Sequence, residues 1–543
     1  MNKTFTSKIE LNPQFKRALD LIEKTKRNVF VTGKAGTGKS TLLQLFRAKT
    51  KKKLVVLAPT GVAALNVQGQ TIHSFFGFKP DITPFNIKQV RVTPRKKKLL
   101  KKLETIIIDE VSMVRADLLD CVDGFLRLYG PKKNQPFGGA QMIFIGDLYQ
   151  LPPVVTSQEK SLFTPIPSST NNSKISKNSF AGAIANVYGS PYFFDAKSFP
   201  NLSVELIELE KIYRQKDQRF IELLNSIRNN SAGEAELKII NQRLNQKFES
   251  QLDDFYIYLT PTNALASSVN NQKLEQLKTK VHHYKGFLSG KFDVRSLPTD
   301  MDLNLKVGAQ VMLLNNDASG RWINGTIGKI VDIETDDEQE DAILVELASG
   351  DVEAVYPYTW KMFEFKFNPR TGEIESDTLG SFTQYPMKLA WAITIHKSQG
   401  KTFNKVILDI GRGTFAHGQL YVALSRCVSL EGLVLKKPLV KHHIWMDWRV
   451  VKFVTSYQYQ ISAEKCSTED KIKIIEQAIA ENRELEITYL KNNDSKSKRL
   501  IKPQTVGEME YLGKTYLGLE AFCLLRHEDR VFRVDRILEM RMV

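Results

Sequence analysis

A glycine-rich stretch near the amino terminus lies between an apolar run and a helical pattern. Residues 33–41 read GKAGTGKST, and the first eight fit G-x-x-x-x-G-K-[ST] in full. In such a loop, backbone N–H groups close on phosphate oxygens, while the Lys39 ammonium neutralises the β and γ phosphates and the Ser40 hydroxyl ligates Mg²⁺. The spacing therefore predicts a site for ATP with Mg²⁺. Its loop residues are Gly33, Lys34, Ala35, Gly36, Thr37, Gly38, Lys39, Ser40 and Thr41.

Three polar residues follow later apolar strands and complete the chemistry of a phosphate site. Asp109 ends the strand in TIIIDEVSM, where it can hold Mg²⁺ through water, and Glu110 can polarise an attacking water. Gln150 in FIGDLYQLPPV can touch both the water and the γ-phosphate. The alternatives are that the two acids only favour a helix N-terminus and that the glutamine is solvated.

Two arginines of the predicted second α/β set are candidates to meet charge on the transferred phosphoryl group. Arg214 occurs in IYRQKD and Arg426 in YVALSRCVS. We interpret both as fingers that reach across a cleft from a second domain, so that the cleft closes on ATP and relaxes after hydrolysis. Each could instead form a surface ion pair.

The elements that position these residues are predicted from short β-branched runs that alternate with helical patterns. NVFVTG, LVVLAPT, ETIIIDE and QMIFIGD are read as strands of a parallel sheet with its site at their C-terminal ends. A second α/β set is expected to begin at VELIELEKIYRQ, and a small all-β barrel is expected between about 303 and 368. Residues 77–102 and 164–179 are expected to be an inserted surface element and a loop.

Composition sets limits on the class of protein. The chain has 543 residues and a formal net charge of +17, which favours a polyanionic partner. No run of eighteen apolar residues and no signal-peptide pattern occur, so we expect an intracellular protein with no membrane partner. The four scattered cysteines are expected to be reduced packing residues.

A series of motifs resembles that of the petite-integration-frequency (Pif1-like) helicases and their RecD relatives in superfamily 1B. In order they are APTGVAALNVQGQTIHSFFG, DEVSMV, GDLYQLPPV, YRQ, LTPTN, LKVGAQVMLLNND, RWINGTIG, AITIHKSQGKTF and YVALSRC. The resemblance covers roughly residues 10–450 and implies an ATP-driven DNA helicase that moves 5′-to-3′ on single strands.

The same resemblance implies the domain organisation. The fold class is α/β, with RecA-like P-loop domains at 1–187 and 188–456. The first would carry an inserted β-hairpin, a strand-separating wedge, at about 77–102. The second would carry an inserted SH3-like barrel at about 270–378. The basic run PRKKKLLKK beside the hairpin would grip duplex DNA or only solvate a loop.

The resemblance also assigns roles to single residues. Gln14 would read adenine, or be a surface residue at a helix start, and Gly400 would line the nucleotide. Nucleic acid would run past six residues that contact phosphates or stack on bases: Thr60, His73, Phe75, His396, Lys397 and Ser398. For Phe75, and for Phe76 and Trp391, packing in the core is the alternative to stacking.

The tail, residues 464–543, resembles a WYL domain, although Thr515 stands in place of the tryptophan before Tyr516 and Leu517. Such domains often sense nucleotides or single-stranded nucleic acid through a basic groove, for which Arg499, Arg533 and Arg536 are candidates, together with Arg530. We expect the tail to bind single-stranded DNA and to tune the coupling of hydrolysis to unwinding. The alternative is a β-module whose arginines pair with its own acids.

The expected partners are single-stranded DNA and forked or structured DNA. We expect a monomer, with self-association on DNA as the alternative. Two other functions stay open: a nucleic-acid-binding regulator that ATP only switches, and an RNA-directed helicase, because phosphate contacts dominate in both nucleic acids.

Overall fold

The computed structural model describes residues 12–156, 159, 162–163, 188–215, 217–251, 254–334, 340–411, 413, 416–511 and 513–543. The amino-terminal residues 1–11, on which the signal-peptide expectation rests, and the predicted loop 164–179 lie outside this range. The chain divides into two compact units. One comprises Met1–Leu224 and Gly233–Trp445, and the other comprises Asn225–Ala232 and Met446–Val543.

The first lobe of the larger unit is built on a parallel sheet. In chain order its elements are α1 (Pro13–Lys24), β1 (Asn28–Gly33), α2 (Lys39–Lys49), β2 (Leu54–Ala58), α3 (Gly61–Asn66), β3 (Gln70–Thr71), α4 (Ile72–Phe76), α5 (Pro94–Lys102), β4 (Thr105–Ile108), α6 (Ala116–Tyr129), β5 (Gln141–Ile145) and β6 (Val204–Leu209). The six strands lie in the order β3-β2-β4-β5-β1-β6, and all pairs are parallel. The four predicted strands, β1, β2, β4 and β5, are confirmed.

These strands are almost wholly buried because helices cover both faces, which explains their continuous apolar runs. One face packs against α1 and α2, where Phe15 and Leu42 meet Val29, Val56 and Ile143. The core fixes the C-terminal ends of β1, β4 and β5 at one edge of the sheet, so the loops that follow them converge.

The predictions that the second α/β set begins at VELIELEKIYRQ and that the second domain begins at 188 are both wrong for β6. This strand pairs in parallel with β1 over six residues, from Asn28↔Val204 to Gly33↔Leu209, and so forms the edge of the first sheet. A burial pattern shows that a strand is half covered but not which sheet it joins. The chain passes to the second lobe only after β6.

The predicted β-hairpin at about 77–102 is also wrong in its secondary structure. These residues form a loop, a 3₁₀ turn at Ile87–Gln89 and helix α5, with no strand. Pro80, Pro84 and Pro94 have no N–H to give to a ladder. Instead, Pro94 occupies the first turn of α5, and the Thr93 hydroxyl caps the helix by accepting a hydrogen bond from Lys96 N.

The second lobe is built on a smaller parallel sheet. The lobe begins with α7 (Gln218–Arg228), α8 (Glu234–Asn241), β7 (Ile257–Thr260) and α9 (Asn263–Gln276), and the last four residues of α7 belong to the smaller unit. The inserted strands follow: β8 (Val281–Lys285), β9 (Phe287–Gly290), β10 (Asp302–Lys306), β11 (Gln310–Leu313), β12 (Ile327–Glu334), β13 (Ala342–Leu347), β14 (Val352–Val355), β15 (Tyr358–Phe367), β16 (Ile374–Gln384) and β17 (Met387–Leu389). The lobe ends with β18 (Ala392–Thr394), β19 (Val406–Leu408), α10 (Gln419–Leu424) and β20 (Leu433–Leu435). The parallel sheet has the order β18-β7-β19-β20.

The inserted strands between β7 and β18 are all antiparallel, as predicted for an all-β insertion. They form sheets in the orders β14-β13-β12-β11-β17, β15-β16-β9 and β10-β8. Val311, Trp322, Val345 and Tyr385 lie in a core shared by the five-stranded sheet and the pair β10-β8. The strands continue past the predicted end near 378 to Leu389, because β16 pairs with β15 over its full length.

The smaller unit contains the predicted tail module. Its elements are α11 (Trp448–Lys465), α12 (Thr468–Ala480), β21 (Leu485–Leu490), β22 (Lys496–Tyr511), β23 (Lys514–Cys523), β24 (Glu528–Arg533) and β25 (Ile537–Met542). The strands form an antiparallel sheet in the order β24-β23-β22-β21-β25, and α12 buries Ile475 and Ala478 on it.

Helix α11 begins before the predicted start of the tail at 464, yet it is part of the same compact unit. The buried Lys471 ammonium of α12 donates to Ser462 Oγ of α11 over 2.9 Å and to the Ile537 carbonyl of β25 over 2.7 Å. The module therefore begins near Met446 rather than at 464.

Within the described part of the chain, no helix is both long and apolar enough to span a bilayer. All four cysteines are free thiols: Cys121, Cys427 and Cys523 are buried, and Cys466 is partly exposed.

Candidate nucleotide and nucleic-acid sites

The glycine-rich loop lies between β1 and α2, as predicted. Gly36 and Gly38 have φ values of +81° and +87°, a backbone conformation that favours glycine. The Lys39 ammonium donates to the carbonyl oxygens of Gly33 at 2.6 Å and Lys34 at 3.1 Å. Burial lowers the pKa of Lys39, and the nearby carboxylates of Asp147 and Glu110 oppose that shift. The ammonium is thus held inside the loop where phosphates would bind.

The acid pair follows β4 and faces this lysine. Asp109 is 8% exposed, and burial together with the Glu110 charge raises its pKa to about 7. Glu110 has left-handed backbone angles, φ 49° and ψ 43°, which separate its direction from that of Asp109. Burial raises the pKa of Glu110, whereas Lys39 and Arg426 lower it. Both acids therefore lie in a desolvated site beside cations.

Gln150 is buried after β5, and its amide donates to Asp147 Oδ2 over 3.0 Å. Asp147 is 1% exposed, and its charge acts on Lys39, Glu110 and Arg426. We did not select Asp147 from the sequence. The signal was available, because Asp147 ends the apolar strand of GDLYQLPPV just as Asp109 ends its own strand.

The two arginines converge on this site, and one of them, Arg214, comes from a different lobe than predicted. Arg426 lies in the second lobe, is 1% exposed, and is held by the Val422 carbonyl at 2.9 Å and Ser425 Oγ at 2.8 Å. Burial and the Arg214 charge lower the pKa of Arg426 to about 9.

Arg214 lies just beyond β6, a strand of the first sheet, and not in the second domain. Its guanidinium donates to the carbonyls of Ser425 at 3.2 Å and Gly400 at 3.3 Å, both in the second lobe. A methyl group on Gly36 would lie 2.5 Å from Arg214 Cβ, so this side chain packs directly on the glycine-rich loop.

Further hydrogen bonds join the two lobes around the site. The Gln399 amide donates to Glu110 Oε2 over 3.1 Å, and the Ala35 N–H donates to the Tyr421 hydroxyl over 3.0 Å. The His417 ring is 3.0 Å from the Leu148 carbonyl. Gln399 and Tyr421 were also missed, although both lie in motifs that we quoted, because only the folded cleft shows that they face the loop.

The donor set suits Mg²⁺. The hydroxyl of Ser40 and the carboxylate of Asp109 are hard oxygen ligands at the C-terminal edge of the sheet. Among the described residues, no group of three or more His, Cys, Asp or Glu side chains could hold a metal by itself. Mg²⁺ is usually bound by one or two carboxylates together with substrate phosphates, so the residues present fit.

Gln14 lies in the first turn of α1 and exchanges hydrogen bonds with Glu210. Its amide nitrogen donates to Glu210 Oε2 at 3.0 Å, and Glu210 N donates to Gln14 Oε1 at 3.3 Å. Both hydrogen-bonding ends of the amide are thereby oriented next to the glycine-rich loop.

Comparison with known proteins identifies the family. Residues 10–181 match the model of the PIF1-like helicases, and residues 470–542 match that of the WYL domain. The ATP-dependent DNA helicase Pif1 of Campylobacter jejuni is 33% identical over 424 residues, which cover 74% of this chain and 87% of that protein. The chain belongs to the Pif1-like helicase family.

Solved Pif1 structures agree with this assignment. The crystal structure of Bacteroides sp Pif1 with ADP-AlF4 has a TM-score of 0.74 and 37% identity, covering 83% of this chain and 98% of that one. Bacteroides Pif1 bound to ssDNA has a TM-score of 0.58 at 37% identity, with the same coverage of both chains. The RecA-like architecture of the Pif1-like family is thus the architecture of the larger unit.

The residues that the Pif1-like motifs assign to DNA divide into exposed and buried groups. Thr60 is exposed and caps α3 by accepting a hydrogen bond from Ala63 N, and Lys397 is exposed after β18. His73 and His396 are half-buried, and burial lowers the pKa of both imidazoles. Thr60, His396 and Lys397 lie just after strands, whereas His73 lies in the short helix α4 that follows β3.

Two predicted DNA contacts are corrected. Phe75 is 1% exposed and its ring packs against Phe76, Phe365 and the Lys96 ammonium, so it is a core residue. Ser398 is fully buried, and its hydroxyl donates to the Ile395 carbonyl over 2.7 Å, so it faces the protein and not a strand. Trp391 is likewise buried, at 4% exposed.

The arginines of the WYL domain also divide into a buried residue and residues on the surface. Arg499 is 7% exposed and approaches Ser497 Oγ at 3.4 Å and Cys523 Sγ at 3.8 Å, so it is a packing residue and not part of an open groove. Arg530 and Arg533 form ion pairs with Glu528 and Asp535 on the module's own surface.

Arg533 also lies 5.2 Å from the centroid of the Tyr516 ring. Arg536 is partly exposed in the short turn that joins β24 to β25. Arg533, beside the Tyr516 ring, and Arg536 therefore both remain partly accessible.

Proposed function

We propose that this protein is an ATP-hydrolysing DNA helicase that moves 5′-to-3′ on single-stranded DNA and whose turnover DNA stimulates. The observation that carries the proposal is the convergence of both lobes on one glycine-rich loop. Arg214 and Tyr421 contact the loop, and Gln399 holds Glu110 across the cleft. A site made from two lobes changes the distance between them when its ligand changes, which is what a motor requires.

In this proposal each residue has a separate task. Glu110 orients the attacking water, and Gln150 touches both that water and the terminal phosphate. Lys39, Arg214 and Arg426 meet the charge that develops on the phosphoryl group. Ser40 and Asp109 would hold Mg²⁺, which when bound neutralises charge between the β and γ phosphates.

The proposed path for DNA crosses the outer edge of both lobes, past Thr60 and His73 of the first and His396 and Lys397 of the second. Hydroxyl, imidazole and ammonium groups bond phosphate oxygens without reading bases, which suits movement on any sequence. The relatives named as DNA helicases and the Pif1 bound to ssDNA support DNA as the partner. We propose that the protein acts as a monomer on tailed or forked DNA.

We further propose that the WYL domain binds single-stranded DNA and tunes the coupling of hydrolysis to unwinding. Arg533, which lies beside Tyr516, and Arg536 are the candidates for this contact, since a guanidinium and an aromatic ring together suit the DNA backbone and a base. Removing residues 464–543 should lower the affinity for single strands and change the ATP used per base pair opened. Unchanged affinity, ATPase rate and unwinding would remove this role.

The decisive test of function compares duplexes with a 5′ or a 3′ tail, in DNA and RNA versions, for the wild-type chain and Lys39→Ala. We expect strand displacement only from the 5′-tailed DNA and none by Lys39→Ala. Binding and release without displacement would instead indicate an ATP-switched regulator. Equal or better displacement of RNA would indicate an RNA-directed enzyme.

A further inference from the structure

Tyr421 makes a contact with the glycine-rich loop that the proposed mechanism does not use. It lies on α10 of the second lobe and is 4% exposed. Its hydroxyl oxygen accepts a hydrogen bond of 3.0 Å from the backbone N–H of Ala35. A side chain 386 residues away in sequence is therefore bound to the middle of the loop.

Backbone N–H groups of such a loop ordinarily bind phosphate oxygens. In this structure the Gly33 and Lys34 carbonyls accept from Lys39, and the Gly36 carbonyl accepts from Tyr213 N at 2.9 Å. The Ala35 N–H instead holds a phenol oxygen. That oxygen stands in for an anionic oxygen of the ligand.

The phenol lies at the end of the loop where the two arginines are. Arg214 packs on Gly36, the residue after Ala35. Tyr421 is also close enough to Arg214 and Arg426 to affect the electrostatics of both guanidinium groups. This is the end proposed to receive the terminal phosphate.

Helix α10, which carries Tyr421, packs closely on the first lobe. Its cap, Gly418, has φ +69°, and a methyl group there would lie 2.3 Å from the Tyr149 carbonyl of the first lobe. A ligand that displaces the hydroxyl from Ala35 therefore leaves it near by, within the same cleft.

We propose that Tyr421 is a specificity-determining residue that distinguishes ATP from ADP, an inference that rests on the proposed ATP site. When ATP binds, its phosphate takes the Ala35 N–H, and the Tyr421 O–H donates to an oxygen of the γ-phosphate. ADP lacks the γ-phosphate. Its binding therefore breaks the hydrogen bond between Ala35 N–H and Tyr421 but supplies no γ-phosphate oxygen to which the Tyr421 hydroxyl can donate.

The test measures the dissociation constants of ADP and of the non-hydrolysable analogue AMP-PNP for the wild type and for Tyr421→Phe. A hydrogen bond to a charged group is strong enough that we expect AMP-PNP to bind about tenfold more weakly to the variant, with ADP unchanged or tighter. The matched control is Tyr385→Phe, which removes another buried phenol, one that donates to the Asp341 carbonyl at 2.7 Å in the inserted β-module. For Tyr385→Phe, the ratio of the dissociation constants of ADP and AMP-PNP should equal that of the wild type.

The outcomes separate this inference from the proposed function. A wild-type protein that binds neither nucleotide below about 1 mM overturns the ATP site itself. If the wild type binds both, and Tyr421→Phe weakens them equally or leaves both unchanged, the role of Tyr421 is overturned. If the thermal midpoint of Tyr421→Phe is well below that of Tyr385→Phe, the test uses 3-fluorotyrosine at position 421 in place of the Phe variant. A stronger preference for AMP-PNP from this more acidic phenol supports the inference, and an unchanged preference overturns it.

Discussion

The Gln399 amide donates a hydrogen bond to the Glu110 carboxylate over 3.1 Å, and the two side chains come from opposite lobes. Gln399 follows β18 of the second sheet, in the same short loop as His396 and Lys397. Glu110 follows β4 of the first sheet. The residue proposed to orient water is thereby bonded to the loop proposed to contact DNA. This hydrogen bond connects the proposed hydrolysis site directly with the proposed DNA site.

Replacing the carboxylate of Glu110 tests its part in hydrolysis. Glu110→Gln should bind ATP about as well as the wild type, because Lys39 and the loop are unchanged, while turnover falls by a factor of about 10²–10⁴. Steady-state ATPase with saturating single-stranded DNA measures this. Glu104→Gln, an exposed acid of the same lobe, is the control. Turnover within a few-fold of the wild type would show that Glu110 does not orient the water.

Gly36→Ala should abolish tight nucleotide binding because Gly36 has both a positive φ of +81° and a close neighbour, Arg214 Cβ, at 2.5 Å from the added methyl group. Gly320→Ala is the matched control, since Gly320 has φ +79° but nothing within 4 Å of an added methyl group. Nucleotide titration of both variants shows whether a loss of affinity is specific to the glycine-rich loop. Equal affinities for the two variants would mean that the loop and Arg214 accommodate the added methyl group.

Lys96 predicts a pH dependence of stability. Its ammonium lies 3.5 Å from the centroid of the Phe75 ring, and burial lowers its pKa from 10.5 to about 7, although Glu364 opposes the shift. Between these values the unfolded chain binds more protons than the folded one, so the wild type gains stability as pH rises from about 7, by at most about 1.4 kcal/mol per pH unit.

Lys96→Met removes this gain while keeping the apolar part of the side chain. The thermal midpoint of the wild type should therefore rise relative to Lys96→Met between pH 7 and pH 9. Lys98→Met, an exposed position of α5, controls for the loss of one lysine. Parallel midpoints of the wild type and Lys96→Met across this range would contradict a neutral buried lysine.

Within the smaller unit, Arg228 and Asp494 form a buried ion pair with side chains that are 3% and 2% exposed. Arg228→Met leaves the Asp494 charge buried without this cation, and breaking such a pair usually costs about 3–5 kcal/mol. Hydrogen exchange of residues 446–543 in the full-length protein should accelerate. Arg530→Met, which breaks the exposed pair with Glu528, should have almost no effect. Similar exchange in both variants would contradict the stabilising role of the buried pair.

The sequence predicted the positions of the glycine-rich loop and of the acid pair because each follows a strand with a clear apolar run. Position in the chain did not determine which sheet a strand joins, so β6 and Arg214 were assigned to the second domain. The physical reason is that β6 is paired through its backbone with β1, which leaves no pattern in its side chains.

The burial of single side chains was the second feature that the sequence did not predict. Phe75, Ser398 and Arg499 have the residue types of nucleic-acid contacts, but each is covered by segments distant in sequence or bonded to its own backbone neighbours. In the inserted element at about 77–102, the helix propensity of the local sequence indicates the secondary structure better than the family resemblance does. Thr93 and Pro94 begin a helix in PRKKKLLKK, and α5 is the result.

The central claim is that the two lobes close jointly on the terminal phosphate. A crystal structure of this protein with ADP and aluminium fluoride tests it most directly. We predict that guanidinium nitrogens of both Arg214 and Arg426 lie at about 3 Å from the fluoride ligands, the distance of a hydrogen bond. A nucleotide that touches only residues of the first lobe, with both guanidinium groups beyond hydrogen-bond reach, would contradict the account.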